Sequence, residues 1–123
     1  MRKILVADDE DIHYNHARIL LKDDEVIYVG DPDKVEEAAR EGNFDAILLD
    51  LYWQEEGRSL DDARAIGYSL LEKVRGLAPR VILWTSAPRH RNEERALETG
   101  ATEFLSKDDI RDLARTFDYP VSD

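Results

Sequence analysis

The stretch DAILLDLYWQEE, Asp45 to Glu56, decides the fold. Four apolar residues, Ala46 to Leu49, run straight into Asp50. An unbroken apolar run of this kind reads as a strand buried on both faces of a parallel sheet. A carboxylate at the end of such a strand is costly unless something pairs with it. Asp50 therefore calls for a compensating cation, and Glu55 and Glu56 close behind it add to the negative charge.

Working outward, KILVA (3–7) and RVILW (80–84) are continuous apolar runs of the same type. VIYVG (26–30) and EFLS (103–106) are weaker and read as strands nearer the edges. Helical patterns fall between them. Ile12, His16, Ile19 and Leu20 share one helix face. Asp31-Pro32 reads as an N-cap with proline at the first helical position, opening a helix through Val35, Ala38 and Ala39 that Gly42 closes. Ser59 with Asp62 three residues on resembles a capping box. Behind it Ala63, Gly67, Leu70, Leu71, Val74 and Leu77 keep helical spacing up to a stop at Gly76. RHRNEERALETG (89–100) offers only Ala96 and Leu97 as apolar residues, so a helix there has a thin core face and is drawn from the low-stability end of the domain. Ile110, Leu113, Ala114 and Phe117 make a last helix. Strand then helix, repeated along the chain, predicts a doubly wound α/β domain with right-handed crossovers.

Composition narrows the function. The chain has 123 residues, 42% of them hydrophobic, enough for one core. Its formal net charge is −11, which repels nucleic acid and anionic membranes and suits a divalent cation or a basic partner. No run reaches the length of a membrane helix, and the apolar run near Met1 is too short for a signal peptide. With no cysteine there is neither a disulfide nor a thiolate metal site. These features place the expected protein in the cytoplasm.

In a doubly wound sheet, sites form at the carboxyl ends of the strands. Asp8 and Asp9 follow the first strand, Asp50 the third, Thr85 and Ser86 the fourth, and Lys107 the fifth. Close carboxylates cannot all stay ionised cheaply without a cation. Mg²⁺ fits best, because it takes one or two carboxylates, waters and a substrate phosphate; Mn²⁺ is the second choice. An aspartate there can attack a phosphoryl group, with Lys107 neutralising the developing charge and the Thr85 hydroxyl bonding a phosphoryl oxygen.

KILVADDE, AILLD, VILWTSA and GATEFLSK, in this order and spacing, resemble the receiver domain of two-component response regulators over essentially the whole chain. The resemblance implies a flavodoxin-like five-stranded sheet in the order 2-1-3-4-5 with helices on both faces. It implies Asp50 as phosphoacceptor, Mg²⁺ held by Asp9, Asp50 and the backbone carbonyl of Tyr52, Asp8 acting through water, and Lys107 as the ion-pair partner of Asp50. Thr85 and Phe104 would be the switch pair, with the Phe104 ring turning inward. The implied partners are a histidine kinase or phosphotransfer protein and a downstream protein or output domain, with a phosphorylation-dependent homodimer also within the expectation. The reading is one receiver-like domain over 1–123, with no output domain and no enzyme activity beyond self-phosphorylation and autodephosphorylation.

Three departures from the family bear on the site. Asp108 follows Lys107 where the family has a proline after a cis bond, so a trans bond is expected here. The segment after Asp50, residues 51–66, is longer than usual and adds Glu55, Glu56, Asp61 and Asp62; it is expected to shield the pocket or to form a partner surface. Ser86 replaces a small apolar residue, and Tyr52 stands two residues past Asp50, where its bulk predicts slow hydrolysis of a phosphoaspartate. Two competing functions follow. One is an interaction-only pseudo-receiver that is not productively phosphorylated. The other is an aspartyl-nucleophile phosphatase, disfavoured because Tyr52 occupies the place of a second acid. His16 has no partner spaced to make it a metal ligand, and the cluster Arg89, His90, Arg91 reads as a solvated helix start. Trp53 and Trp84 both read as packing residues; of the two, Trp53, in the acidic loop, is the better candidate for partner contact.

Overall fold

The computed structural model describes residues 1–54 and 57–121. Among them the strands are β1 (Lys3–Ala7), β2 (Glu25–Val29), β3 (Ala46–Leu49), β4 (Arg80–Thr85) and β5 (Glu103–Ser106). The helices are α1 (Asp11–Leu20), α2 (Val35–Gly42, preceded by a 3₁₀ turn over Pro32–Lys34), α3 (Leu60–Val74), α4 (Arg89–Thr99) and α5 (Ile110–Thr116). The five strands are parallel in the order β2-β1-β3-β4-β5, as the resemblance implies.

Period-2 geometry splits each central strand between two cores. Leu5, Ile47, Leu49 and Leu83 face α2, α3 and α4 with Val35, Ala39, Leu71 and Val74. Ile4, Val6, Leu48, Ile82 and Trp84 face α1 and α5 with Ala17, Leu21, Leu113 and Phe117. Burial on both faces accounts for the absence of polar alternation in these runs.

Ser59 caps α3 as predicted, its hydroxyl accepting from the Asp62 N–H at 3.1 Å. Ser59→Ala is expected to cost about 1 kcal/mol in urea unfolding. A cost near zero would mean that tertiary packing alone sets the start of α3. Asp31 likewise accepts from the Asp33 N–H, ahead of Pro32. Asn43, at φ 51°, closes α2 in the left-handed conformation expected of Gly42, which is the last helical residue instead.

Two helix faces differ from expectation. Ile12 and Ile19 are 50% and 65% exposed, and His16 is exposed with them. The buried side of α1 carries Ala17, with Tyr14, Leu20 and the following Leu21 on the same core. The ring contacts set this rotation: Tyr14 stacks on Tyr28 of β2 at 5.2 Å, and His13 meets Trp84 of β4 edge-on at 5.9 Å. In α4 the core face is thin as predicted, but Leu97 points outward and Asn92 takes its place. Asn92 is buried because it is satisfied: Tyr68 Oη of α3 donates to its Oδ1 at 2.9 Å, and its Nδ2 donates to Pro88 O at 2.8 Å.

Candidate functional site

The parallel sheet brings the carboxyl ends of β1, β3, β4 and β5 to one rim. The backbone continues the ladder there: Asp50 N–H donates to Ala7 O at 2.9 Å and Lys107 N–H to Thr85 O at 2.9 Å. On this rim the carboxylates of Asp8, Asp9 and Asp50 come within 4.8 Å of one another. Asp8 is 1% exposed and Asp50 6%.

Lys107 joins them. Its Nζ lies 2.5 Å from Asp8 Oδ2 and 3.4 Å from Asp50 Oδ2, so Asp8 is the nearer partner and Asp50, the expected one, the more distant. Asp8 Oδ1 also accepts from the Glu10 N–H at 2.9 Å. Asp9 Oδ2 accepts from the Gln54 N–H at 3.0 Å, and Asp50 Oδ1 from the Tyr52 N–H at 3.4 Å. The buried Thr85 hydroxyl caps its own turn, accepting from the Ala87 N–H at 3.1 Å.

The electrostatics follow. Burial pushes the Asp50 carboxyl up to about 6; Asp8 and Asp9 push the same way, while Lys107 and Thr85 pull down. Burial also works to raise Asp8, but there the His13 and Lys107 contacts and the Glu10 N–H win, and its pKa is lowered. Asp9 is raised, by burial first and then by its acidic neighbours, against the Gln54 hydrogen bond. One ammonium among three carboxylates leaves negative charge uncompensated. A set of oxygen donors alone, in excess negative charge, fits a hard divalent cation.

Phe104 does not touch the acids. It is buried in the core on the α4 side, with the Arg89 guanidinium 5.1 Å from its ring centroid. Trp53 is a packing residue, as read from the sequence: it is 1% exposed, and its Nε1 donates to Asp50 O at 2.8 Å. It is a prop beneath the acidic strand end, not an exposed contact. Residues 51–54 fold back over the site through Trp53 and Gln54, and Trp53 N–H reaches Ala63 O of α3 at 3.3 Å. A cavity of about 130 Å³ beside Asp9 is lined by Gly30, Pro32, Trp53, Gln54 and Arg58. Glu55 and Glu56, the acidic core of the expected shield, lie outside the described residues.

His13 is the site residue that sequence reasoning missed. Its Nδ1 lies 3.1 Å from Asp8 Oδ2 and 3.1 Å from Lys107 Nζ. The available signal was its place five residues after Asp8, on the inward face of α1, which the spacing of Ile12, His16 and Ile19 obscured. The Lys107–Asp108 bond is trans, as expected.

This architecture is the fold of response regulator receiver domains. It superposes on a receiver domain protein (CheY-like) from Methanospirillum hungatei JF-1 with a TM-score of 0.74 and 22% identity, covering 95% of this chain and 90% of that one. A two-component response regulator from Clostridium difficile aligns with a TM-score of 0.78 and 17% identity, over 95% of this chain and 93% of that one. A response regulator from Burkholderia pseudomallei, solved with a phosphorylated aspartic acid, a calcium ion and citrate, aligns with a TM-score of 0.74 and 21% identity. The chain covers 64% of that protein's length, and 92% of this chain is matched. No model of a known protein family matches the sequence, and no curated protein sequence is similar enough to match it. Among the described residues no helix is long and apolar enough to cross a membrane.

Proposed function

We propose that the chain is a phosphoaccepting receiver, with Asp50 as the phosphoacceptor. The observation that carries this reading is the convergence of Asp8, Asp9 and Asp50 within 4.8 Å at the carboxyl rim of a receiver fold, with Lys107 between Asp8 and Asp50. Asp9 and Asp50, with the Tyr52 carbonyl, would hold Mg²⁺, and Asp8 would act through water. The bound cation supplies charge neutralisation for the phosphoryl oxygens.

In the reaction an Asp50 carboxylate oxygen attacks the phosphorus of a phosphohistidine. The P–O bond of an aspartyl phosphate forms as the P–N bond breaks, and the bonding pair leaves on the imidazole nitrogen. Lys107 stabilises the equatorial oxygens, and the Thr85 hydroxyl donates to one of them once it turns from the Ala87 amide. That turn would free the space into which Phe104 and the start of α4 repack, changing the face offered to a downstream partner. The donor in this reading is a histidine kinase or phosphotransfer protein.

Incubation with acetyl phosphate and Mg²⁺ tests the proposal. Intact mass is expected to rise by one phosphoryl group, and Asp50→Asn is expected to abolish the gain. No gain in the native protein with Mg²⁺ present would overturn it. A second measurement concerns Tyr52, whose backbone N–H donates to Asp50 Oδ1 at 3.4 Å and whose half-buried side chain packs against the core beside it. Tyr52→Asn is expected to shorten the phosphoryl half-life, because a smaller polar side chain admits the hydrolytic water; an equal or longer half-life would remove Tyr52 as the cause of slow turnover.

One observation favours the phosphorylation-independent alternative. Asp9 Oδ2 already accepts from Gln54, so the inserted segment competes for a carboxylate the cation needs. In that case Mg²⁺ has no effect on mass gain or on stability, and partner binding survives Asp50→Asn.

A further inference from the structure

Lys107 is a long side chain on a short turn. Its backbone N–H is held by Thr85 O, and the next N–H, that of Asp108, by Ser106 Oγ at 3.0 Å. Neither contact orders a flexible four-carbon stem. The lysine side chain is nevertheless only 7% exposed, with its ammonium 2.5 Å from Asp8. Two residues outside the acidic cluster close around it. His13, the third residue of α1, places Nδ1 3.1 Å from Nζ. Trp84, next to last in β4, lays its ring 5.3 Å from Nζ, and the His13 ring stands edge-on to that same indole. The Trp84 Nε1 is buried without a hydrogen-bond partner, so the residue acts here through its ring face alone.

The geometry points to His13 as a positioning residue for Lys107: its ring nitrogen closes a triangle with Asp8 and the ammonium, and Trp84 backs both. Nδ1 serves one neighbour at a time. Bare, it accepts from Lys107; protonated, it donates to Asp8, and Asp8 then holds the lysine. Nζ sits on the Asp8 side, 3.4 Å from Asp50 Oδ2. A lysine held there needs only a small shift to reach a group that forms on Asp50. Without His13 only Asp8 and the Trp84 ring hold it, and the ammonium samples more rotamers. The inference rests on the phosphoacceptor reading for this consequence, and on the contacts of His13, Asp8 and Trp84 for the placement itself.

Two measurements on the full chain separate the two. In metal-free protein labelled with ¹⁵N-lysine, the Lys107 ammonium protons are expected to exchange slowly in the native chain and in His13→Asn, whose amide reaches a similar position. Fast exchange is expected in His13→Leu. With acetyl phosphate and Mg²⁺, His13→Leu is expected to lower the phosphorylation rate about tenfold, and His13→Asn to restore most of it. In a Lys107→Met background, His13→Leu is expected to change the rate no further, because the histidine acts through the lysine. Slow exchange that survives in His13→Leu overturns the positioning role, and so does a tenfold loss that persists without Lys107. Slow exchange that depends on His13, in a protein that takes up no phosphoryl group, supports the positioning role and overturns the phosphoacceptor reading instead.

Discussion

Asp50→Asn is expected to make the metal-free protein more stable at pH 7, by an amount on the order of 2–3 kcal/mol, although it removes a member of an ion pair. Asp50 pairs with Lys107 at 3.4 Å, but burial and two acidic neighbours outweigh that contact and push its carboxyl up to about 6. A carboxyl whose pKa is raised on folding binds its proton more tightly in the native state. Its ionisation therefore costs stability in full above about pH 6, and the cost fades as pH falls from there toward the ordinary carboxylate range. Asn keeps the shape and drops the charge.

The native chain should accordingly gain stability between pH 7 and pH 5 and should lose it again in stronger acid. Asp8, whose pKa is lowered on folding, contributes stability above the ordinary carboxylate range that disappears as it protonates. Thermal unfolding of both proteins in EDTA, from pH 4 to pH 8, measures this. The difference between them should shrink toward pH 5. Mg²⁺ should stabilise the native chain by binding its folded form, and should do so far less for Asp50→Asn. A variant less stable than the native chain at pH 7 would show that the Lys107 pairing outweighs the burial cost.

The second large effect lies in the packing of α3. Gly67 faces the backbone of Leu51, the residue after Asp50, and a Cβ built there would sit 2.0 Å from Leu51 O and 2.6 Å from its carbonyl carbon. Ala ordinarily favours a helix interior over Gly by about 1 kcal/mol. Here backbone, not a flexible side chain, stands in the way, so either α3 or the strand end must move. Gly67→Ala is expected to cost on the order of 3 kcal/mol, read as a lower urea midpoint. The displaced segment carries Asp50, Tyr52 and Trp53, so if Asp50 is the phosphoacceptor as proposed, the rate of phosphoryl uptake should fall with it. A neutral or stabilising Gly67→Ala would mean that α3 does not press on the acidic strand end.

The contrast between Asp50 and His13 marks how far the sequence reaches. Asp8, Asp9, Asp50, Thr85 and Lys107 were legible because each ends a strand or follows one directly. Strand ends on one edge of a parallel sheet must meet, whatever the packing details. His13 was not legible, because its role depends on the rotation of α1 about its own axis. That rotation follows from ring contacts with Tyr28 and Trp84, which the spacing of Ile12, His16 and Ile19 does not reveal. Trp53 was legible as a packing residue, but its partner was not. Only the fold shows that its indole N–H finds the Asp50 carbonyl at 2.8 Å.

By itself the sequence determined the order of elements and the acids that end the strands, since continuous apolar runs are properties of the chain taken one segment at a time; the strand order came with the family resemblance. The tertiary structure alone decided which acid Lys107 sits against, how Trp53 and Gln54 close over the site, and what stands behind the lysine. Those are distances between side chains far apart in sequence, set by the depth and rotation at which helices dock on the sheet, and no local pattern encodes them.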